Sequence, residues 1–327
     1  MTDFAPIRHK LVGISPKAYE HPTDRAMTAA LASIPMLDRV IKQLSEMQIE
    51  RAYRQFLLAN SVRVGPNQLP ELWESYQHVL ETLDMPDSYE LYLMQTPVAN
   101  AFTFGTKTPI VVLHSGLIDL LDEDEIQAVL AHEVAHILSG HSLYRTVLIL
   151  LILLGQASQF PLFVGLPLQA VQLALLEWFR AAELSCDRAA TLVVRDPRIT
   201  CRAMMHLAGG NLAERLNLDA FIQQAQEYEE SNEGYDRFLR LFQQMGATHP
   251  FPVRRVSELL KWIQGGDFDR IIRGSYPSRD EKPDARQEVN EAANYYREHF
   301  ERVMEETNRG VQSVGQQFSD WLRRSSE

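Results

Sequence analysis

The sequence predicts a mainly α-helical chain with a small β-sheet, an α+β fold, and three observations lead there. Glu123–Leu138, apolar nearly all round and free of proline and glycine, reads as a long buried helix, and Gln169–Val194 reads as a second long helix. Tyr89–Met94 alternates as a strand does, and Ala101–Phe104 with Pro109–Leu113 reads as a hairpin turning through Gly105 and Lys107. A hydrophobic content of 45% in 327 residues is enough to bury a sizeable core.

Taken in order, residues 1–60 read as an N-terminal helical region. Arg8, His9 and Lys10 are not followed by the apolar run of about 7 to 15 residues that a signal peptide needs, so no signal peptide and a cytoplasmic location are expected. From Pro22 to Asn60, Ala, Leu, Met and Ile recur at helical spacing, with Pro35 dividing one helix from the next. No chemistry is recognisable here, and His9, His21 and His78 read as surface residues. Leu69–Leu83 is a further helix. Before Glu123–Leu138, Asp122 and Glu125 form a capping box, and the acidic run Asp122–Glu125 suits the positive end of a helix; no proline or glycine follows until Gly140.

Thr146–Leu176 carries no charged residue in 31 positions. Pro161, Gly165 and Pro167 would turn it into a helical hairpin, which is either buried or associated with a membrane; Gln156, Gln159, Gln169 and Gln172 favour burial. Helices follow at Thr200–Leu207 and Leu218–Met245, and the acidic patch Glu227–Glu233 reads as a solvated loop. Residues 276–284 are a linker. Residues 285–327 form a long amphipathic helix, for which self-association or partner binding is the expectation. The net charge of −11 argues against nucleic acid as a partner. Two cysteines, Cys186 and Cys201, indicate no disulfide framework, and Cys186 reads as a small packing residue.

The chemistry centres on AVLAHEVAHILSGH, Ala128–His141. His132 and His136 lie four apart on one helix face, with Cβ atoms about 6 Å apart, so their imidazoles can share one metal ion, and zinc suits them. Glu133 is turned about 100° from His132, within reach of a metal-bound water without being a ligand, the place of a general base. The alternative is a pair of core histidines satisfied by hydrogen bonds. A catalytic zinc site needs a third protein ligand. Glu183, in EWFRAAELSCDRAA, is the best candidate, with Asp187 one turn further on the same face to orient a ligand histidine. The alternative there is a solvated Glu183 that pairs with Arg180.

HEVAHILSGH followed by ELSCDRAA resembles the gluzincin metallopeptidases of the HtpX and CAAX prenyl protease type. The resemblance extends to NAFTFG at Asn100–Gly105 and THPFPVRR from Thr248, and spans about Tyr89–Leu260. It implies a zincin-like metalloprotease catalytic domain, placed at 61–275, with helical extensions at both ends. It implies one zinc per chain on His132, His136 and Glu183, with Glu133 as base and Asp187 behind the ligands. His249 would then lie near the metal as an oxyanion stabiliser or resting-state ligand; by residue type alone it reads equally as a cap or core histidine. Asn100, Ala101 and Phe102 would form an edge strand that binds extended peptide; without the family likeness they read as an ordinary hairpin strand. Two departures stand out: the N-terminus lacks the membrane spans of HtpX, and the apolar stretch 146–176 is an insert of this chain's own.

The expected activity is zinc-dependent endoproteolysis of protein or peptide substrates, of the kind used in protein quality control. Zinc lowers the pKa of bound water to about 7, Glu133 takes its proton, and the leaving amine receives it. The competing expectation is a zinc-stabilised, chaperone-like or membrane-associated binding module that holds clients without cutting them. The intact Glu133 counts against it, because holding zinc does not require that residue.

Overall fold

The computed structural model describes residues 9–32, 37, 41, 49–155, 168–230 and 251–281. The chain runs through α1 (Pro22–Ala32), α2 (Ile49–Asn60), the short strand β1 (Val62–Arg63), α3 (Pro70–Thr82) and the strands β2 (Glu90–Met94), β3 (Ala101–Phe104) and β4 (Ile110–His114). A single turn, α4 (Ser115–Ile118), leads into α5 (Glu123–Leu138), α6 (His141–Gly155) and α7 (Leu168–Val194). α8 (Pro197–Gly209), α9 (Leu218–Glu230), α10 (Pro252–Gln264) and α11 (Asp267–Ile272) follow. His249, the middle of the apolar stretch (156–167), the second half of the Leu218–Met245 helix and the 285–327 helix lie outside the described residues.

The sheet has the order β1-β2-β4-β3, with β2 and β4 parallel and the other neighbours antiparallel. β3 therefore occupies an edge, its Ala101 opposite Leu113 and its Phe104 opposite Ile110. Alternation along the strands divides the interior in two. Leu91, Ala101, Val111 and Leu113 turn toward α5, whereas Tyr92, Phe104, Ile110 and Val112 turn toward α2. On that second face the Tyr53 ring of α2 sits 4.7 Å from Phe104. β1 has no forerunner in the sequence pattern: two residues, both exposed, are too few to show alternation.

α5 is the central helix, packed by α3, α7, α8 and β3. Its expected capping box is formed: the Glu125 backbone N–H donates to Asp122 Oδ1 at 2.9 Å and the Asp122 N–H donates to Glu125 Oε2 at 3.0 Å. Glu125, fully buried, also accepts from Arg202 Nε at 2.6 Å and meets His206 Nδ1 at 2.9 Å, so the cap ties α5 to α8. Ala131 and Ala135 of α5 and Ala182 and Ala189 of α7 are completely buried, and these small side chains let the two backbones come close. This proximity sets the reach of every group in the site.

Gly140 ends α5 with φ +70°, a left-handed conformation that a Cβ would strain. The chain bends there, and α6 leaves α5 at 95°. His141 is thereby folded back beside His136. Among the described residues no single helix is long and apolar enough to cross a membrane; α5 and the first part of α6 reach that length and composition only as a bent pair. Val147, Leu148, Leu150 and Leu151 of α6 are buried in the second core.

Residues 9–32 are stitched onto the rest by hydrogen bonds from Leu11 N–H to the Thr82 carbonyl at 2.8 Å and from Gly13 N–H to Asp84 Oδ2 at 2.7 Å. A β-bridge joins Ile14 to Ser278. α1 packs along α7, the helix that carries Glu183.

Candidate metal centre

α5 and α7 bring three donors together. His132 Nε2 and His136 Nε2 lie 3.2 Å apart. Glu183 Oε1 is 3.2 Å from His136 Nε2, and Glu183 Oε2 is 3.4 Å from His132 Nε2. A tetrahedron whose centre lies 2.0–2.1 Å from its corners has edges of about 3.3–3.4 Å. The two nitrogens are spaced as such an edge, the carboxylate meets each of them with a different oxygen at a similar distance, and this donor set suits zinc. Cys186 Sγ also comes within 4.8 Å of nitrogens on both histidines. Its thiol lies beside His141 Nδ1 at 3.6 Å, whereas the Glu183 carboxylate meets both Nε2 atoms, at 3.2 and 3.4 Å. The carboxylate is the better third donor.

The charges around these donors are arranged in layers. His132 Nδ1 lies 3.0 Å from Asp187 Oδ1, so the carboxylate expected to orient a histidine faces His132. Asp187 is gripped in turn by Arg255, whose Nε and Nη2 donate at 2.8 and 2.6 Å, and Arg255 Nη1 lies 3.1 Å from Glu183 Oε2. Burial opposes the Asp187 charge, but Arg255 and then His132 outweigh it and hold the carboxyl below its ordinary value. Burial likewise opposes a charged His132, yet Glu183 and Asp187 push its pKa up to about 9. Burial and then the Arg145 charge push His136 down to about 3.

Glu133, fully buried, is positioned from two sides. Its Oε2 accepts from Thr103 Oγ1 of β3 at 2.9 Å and from Arg145 Nη1 of α6 at 2.9 Å. Arg145 stands over the Phe179 ring at 5.4 Å, and Phe179 stacks on His136 at 6.3 Å, so the guanidinium that donates to Glu133 is braced by the ring beside His136.

A cavity of about 250 Å³ opens beside His132 and Glu133. Asn100 and Ala101 line it on the sheet side, and Val129, Met204 and Leu207 give it an apolar wall. Phe102 points the other way, into the α2 side of the sheet, with Tyr53 at 6.3 Å and His114 at 5.8 Å. Of the three expected substrate residues, Asn100 and Ala101 border the cavity, and Phe102 is not among the residues that line it.

The residues matching the model of peptidase family M48 are 66–263, well over half of the chain. The chain belongs to that family. The M48 match takes in β2 to α10 and with them every donor named above. Over 260 residues, the chain is 35% identical to a plastoglobule-localized metallopeptidase 48, chloroplastic, of Arabidopsis thaliana; the alignment covers 78% of this chain and 75% of the plant protein. It is 26% identical over 174 residues to a protease HtpX homolog of a Nostoc species, covering 44% of this chain and 59% of the relative. It is 32% identical over 83 residues to a protease HtpX homolog of Tropheryma whipplei, covering 25% and 28%. No solved structure matches. As an M48 member the chain is a zinc-dependent metallopeptidase acting on peptide or protein substrates, and nothing in these likenesses favours a binding module that does not cut.

Four residues around the M48 site carried no signal that the sequence reading used. Arg145 sits in a charge-free context from Thr146 onward, and its spacing of twelve from Glu133 has no helical meaning across the Gly140 bend. Thr103 was part of the expected strand, and the alternation of that strand put it on the α5 face with Ala101. Arg255 was within THPFPVRR without a role. Asp24 lay in a region read as free of chemistry, and its Oδ2 stands 3.1 Å from His141 Nε2.

Proposed function

We propose that His132, His136 and Glu183 hold one zinc ion and that Glu133 is the general base of peptide hydrolysis. The observation that carries this reading is the convergence of two Nε2 atoms and one carboxylate at 3.2 to 3.4 Å. When bound, zinc supplies Lewis acidity toward water and toward the substrate carbonyl. Glu133 takes a proton from the attacking water onto its carboxylate and delivers it to the leaving amine. Thr103 and Arg145 fix the orientation of that carboxylate. Asp187 keeps His132 turned with Nε2 forward, and Arg255 balances the two buried acids, Glu183 and Asp187.

Extended peptide is bound along the edge strand β3, with Asn100, Ala101 and the Phe102 backbone as its rail. The apolar wall at Val129, Met204 and Leu207 supports a preference for an apolar side chain next to the scissile bond. The test is Glu133→Gln in the full chain, read on a quenched peptide library and on casein. About one zinc per chain should remain while kcat/KM falls about 10³-fold or more. Cleavage at the wild-type rate would contradict the assignment.

A further inference from the structure

His136 is held from behind by a polar chain that leaves the stretch matched by the family. Its Nδ1 lies 3.2 Å from His141 Nδ1, and His141 Nε2 lies 3.1 Å from Asp24 Oδ2 on α1. Asp24 and His141 are each 1% exposed. Asp24 also accepts from Ser185 Oγ at 2.5 Å and from Thr28 Oγ1 at 3.1 Å. The hydroxyl directions are fixed, because Ser185 Oγ accepts the His21 backbone N–H at 2.9 Å and Thr28 Oγ1 accepts Trp178 Nε1–H at 2.7 Å. Trp178 in turn stands edge-on to His141, with ring centres 5.5 Å apart.

Proton counting decides what this chain does. An ionised carboxylate only accepts, and a neutral imidazole carries one N–H. His141 must therefore place its hydrogen on Nε2, toward Asp24, which leaves Nδ1 as a lone pair. Facing that lone pair, His136 must donate from its own Nδ1. The proton is then excluded from His136 Nε2, the atom that faces His132 and Glu183. The Cys186 thiol, protonated because burial pushes its pKa up, also approaches the His141 Nδ1 lone pair, which agrees with this assignment. The Asp24 carboxylate is thus met from three sides, by His141, Ser185 and Thr28.

We propose that Asp24 is a positioning residue for the metal centre: acting through His141, it sets the tautomer and ring orientation of His136 and so raises metal affinity. It does so from α1, outside residues 66–263 that match the family. The inference rests on the ligand assignment given under Proposed function.

The experiment compares full-length wild type, Asp24→Asn, Glu258→Gln and His136→Ala for zinc affinity by competition with a chromophoric chelator. Glu258 holds the same N-terminal segment through His21 at 3.6 Å but has no part in the chain to His136, so it reports loosened packing alone. Asp24→Asn should weaken zinc about 10- to 100-fold, while Glu258→Gln binds as wild type does. Wild-type affinity in Asp24→Asn, or an equal loss in both variants, would overturn the proposal. Long-range ¹H–¹⁵N correlation of the wild-type histidines needs no variant and reads the tautomer directly. His141 protonated on Nε2 supports the proposal, and His141 protonated on Nδ1 overturns it. His136→Ala separates the two readings: retention of zinc there would overturn the ligand assignment itself, whatever Asp24→Asn does.

Discussion

The two histidines of α5 are supported by unlike arms. Behind His132 stands one carboxylate, Asp187 at 3.0 Å, locked by Arg255 and drawn from α7 and α10. Behind His136 stands another imidazole, His141 at 3.2 Å, and only then a carboxylate, Asp24 at 3.1 Å on α1. The first arm lies wholly within residues 66–263, and the second ends outside them. The difference teaches that two histidines one turn apart on a helix can be backed from opposite ends of the sequence.

The largest effect expected from breaking the direct arm comes from Arg255→Ala. Two buried acids would lose their guanidinium partner, and such a loss costs about 3–5 kcal/mol. Urea unfolding of the metal-free protein should show a fall of that order, and a fall below about 1 kcal/mol would mean that Asp187 does not depend on Arg255.

Arg145→Ala sharpens the comparison, because Arg145 donates to Glu133, between the two arms. With Thr103 left as the one named donor to Glu133 Oε2, kcat should fall about 10- to 100-fold, with KM and zinc content unchanged. A loss of zinc instead would show that Arg145 acts on the metal centre.

Much of this was legible in the sequence, and the reasons are local. Glu123–Leu138 was bounded correctly because Asp122, Glu125 and Gly140 are cap and stop signals within one helix. Asp187 was legible because it follows Glu183 by four residues on a continuous helix, where spacing fixes a shared face. His141 was visible as a residue but not as a partner, since the φ of Gly140 sets the bend that returns it to His136. Asp24 gave no signal at all: its place depends on how α1 packs along α7, and no periodicity connects residues 161 apart, the separation of Asp24 from Ser185. Phe102 was read as a rail residue from its strand, but strand alternation turns its side chain toward Tyr53.

The smallest effect distinguishes the arms by pH. Burial and then the charge of Asp24 push Glu20, beside the longer arm, up from its ordinary 4.5 to about 7. The folded chain holds that proton more tightly than the unfolded chain, so the stability it contributes is complete below pH 4.5 and is lost as pH rises through 7. Glu20→Gln should flatten Tm across that window by a few degrees, on the order of 1 kcal/mol after solvent screening. Asp187, held below its ordinary range, contributes no change there. An unaltered Tm profile in Glu20→Gln would remove this distinction.

X-ray absorption at the zinc edge tests the central claim most directly, because it reads the donor atoms. Two imidazoles and one carboxylate predict nitrogen and oxygen neighbours at about 2.0–2.2 Å and no sulfur. Loss of one oxygen neighbour or of zinc in Glu183→Gln would agree with this. A sulfur shell at about 2.3 Å would instead make Cys186 the third ligand and contradict the role given to Glu183.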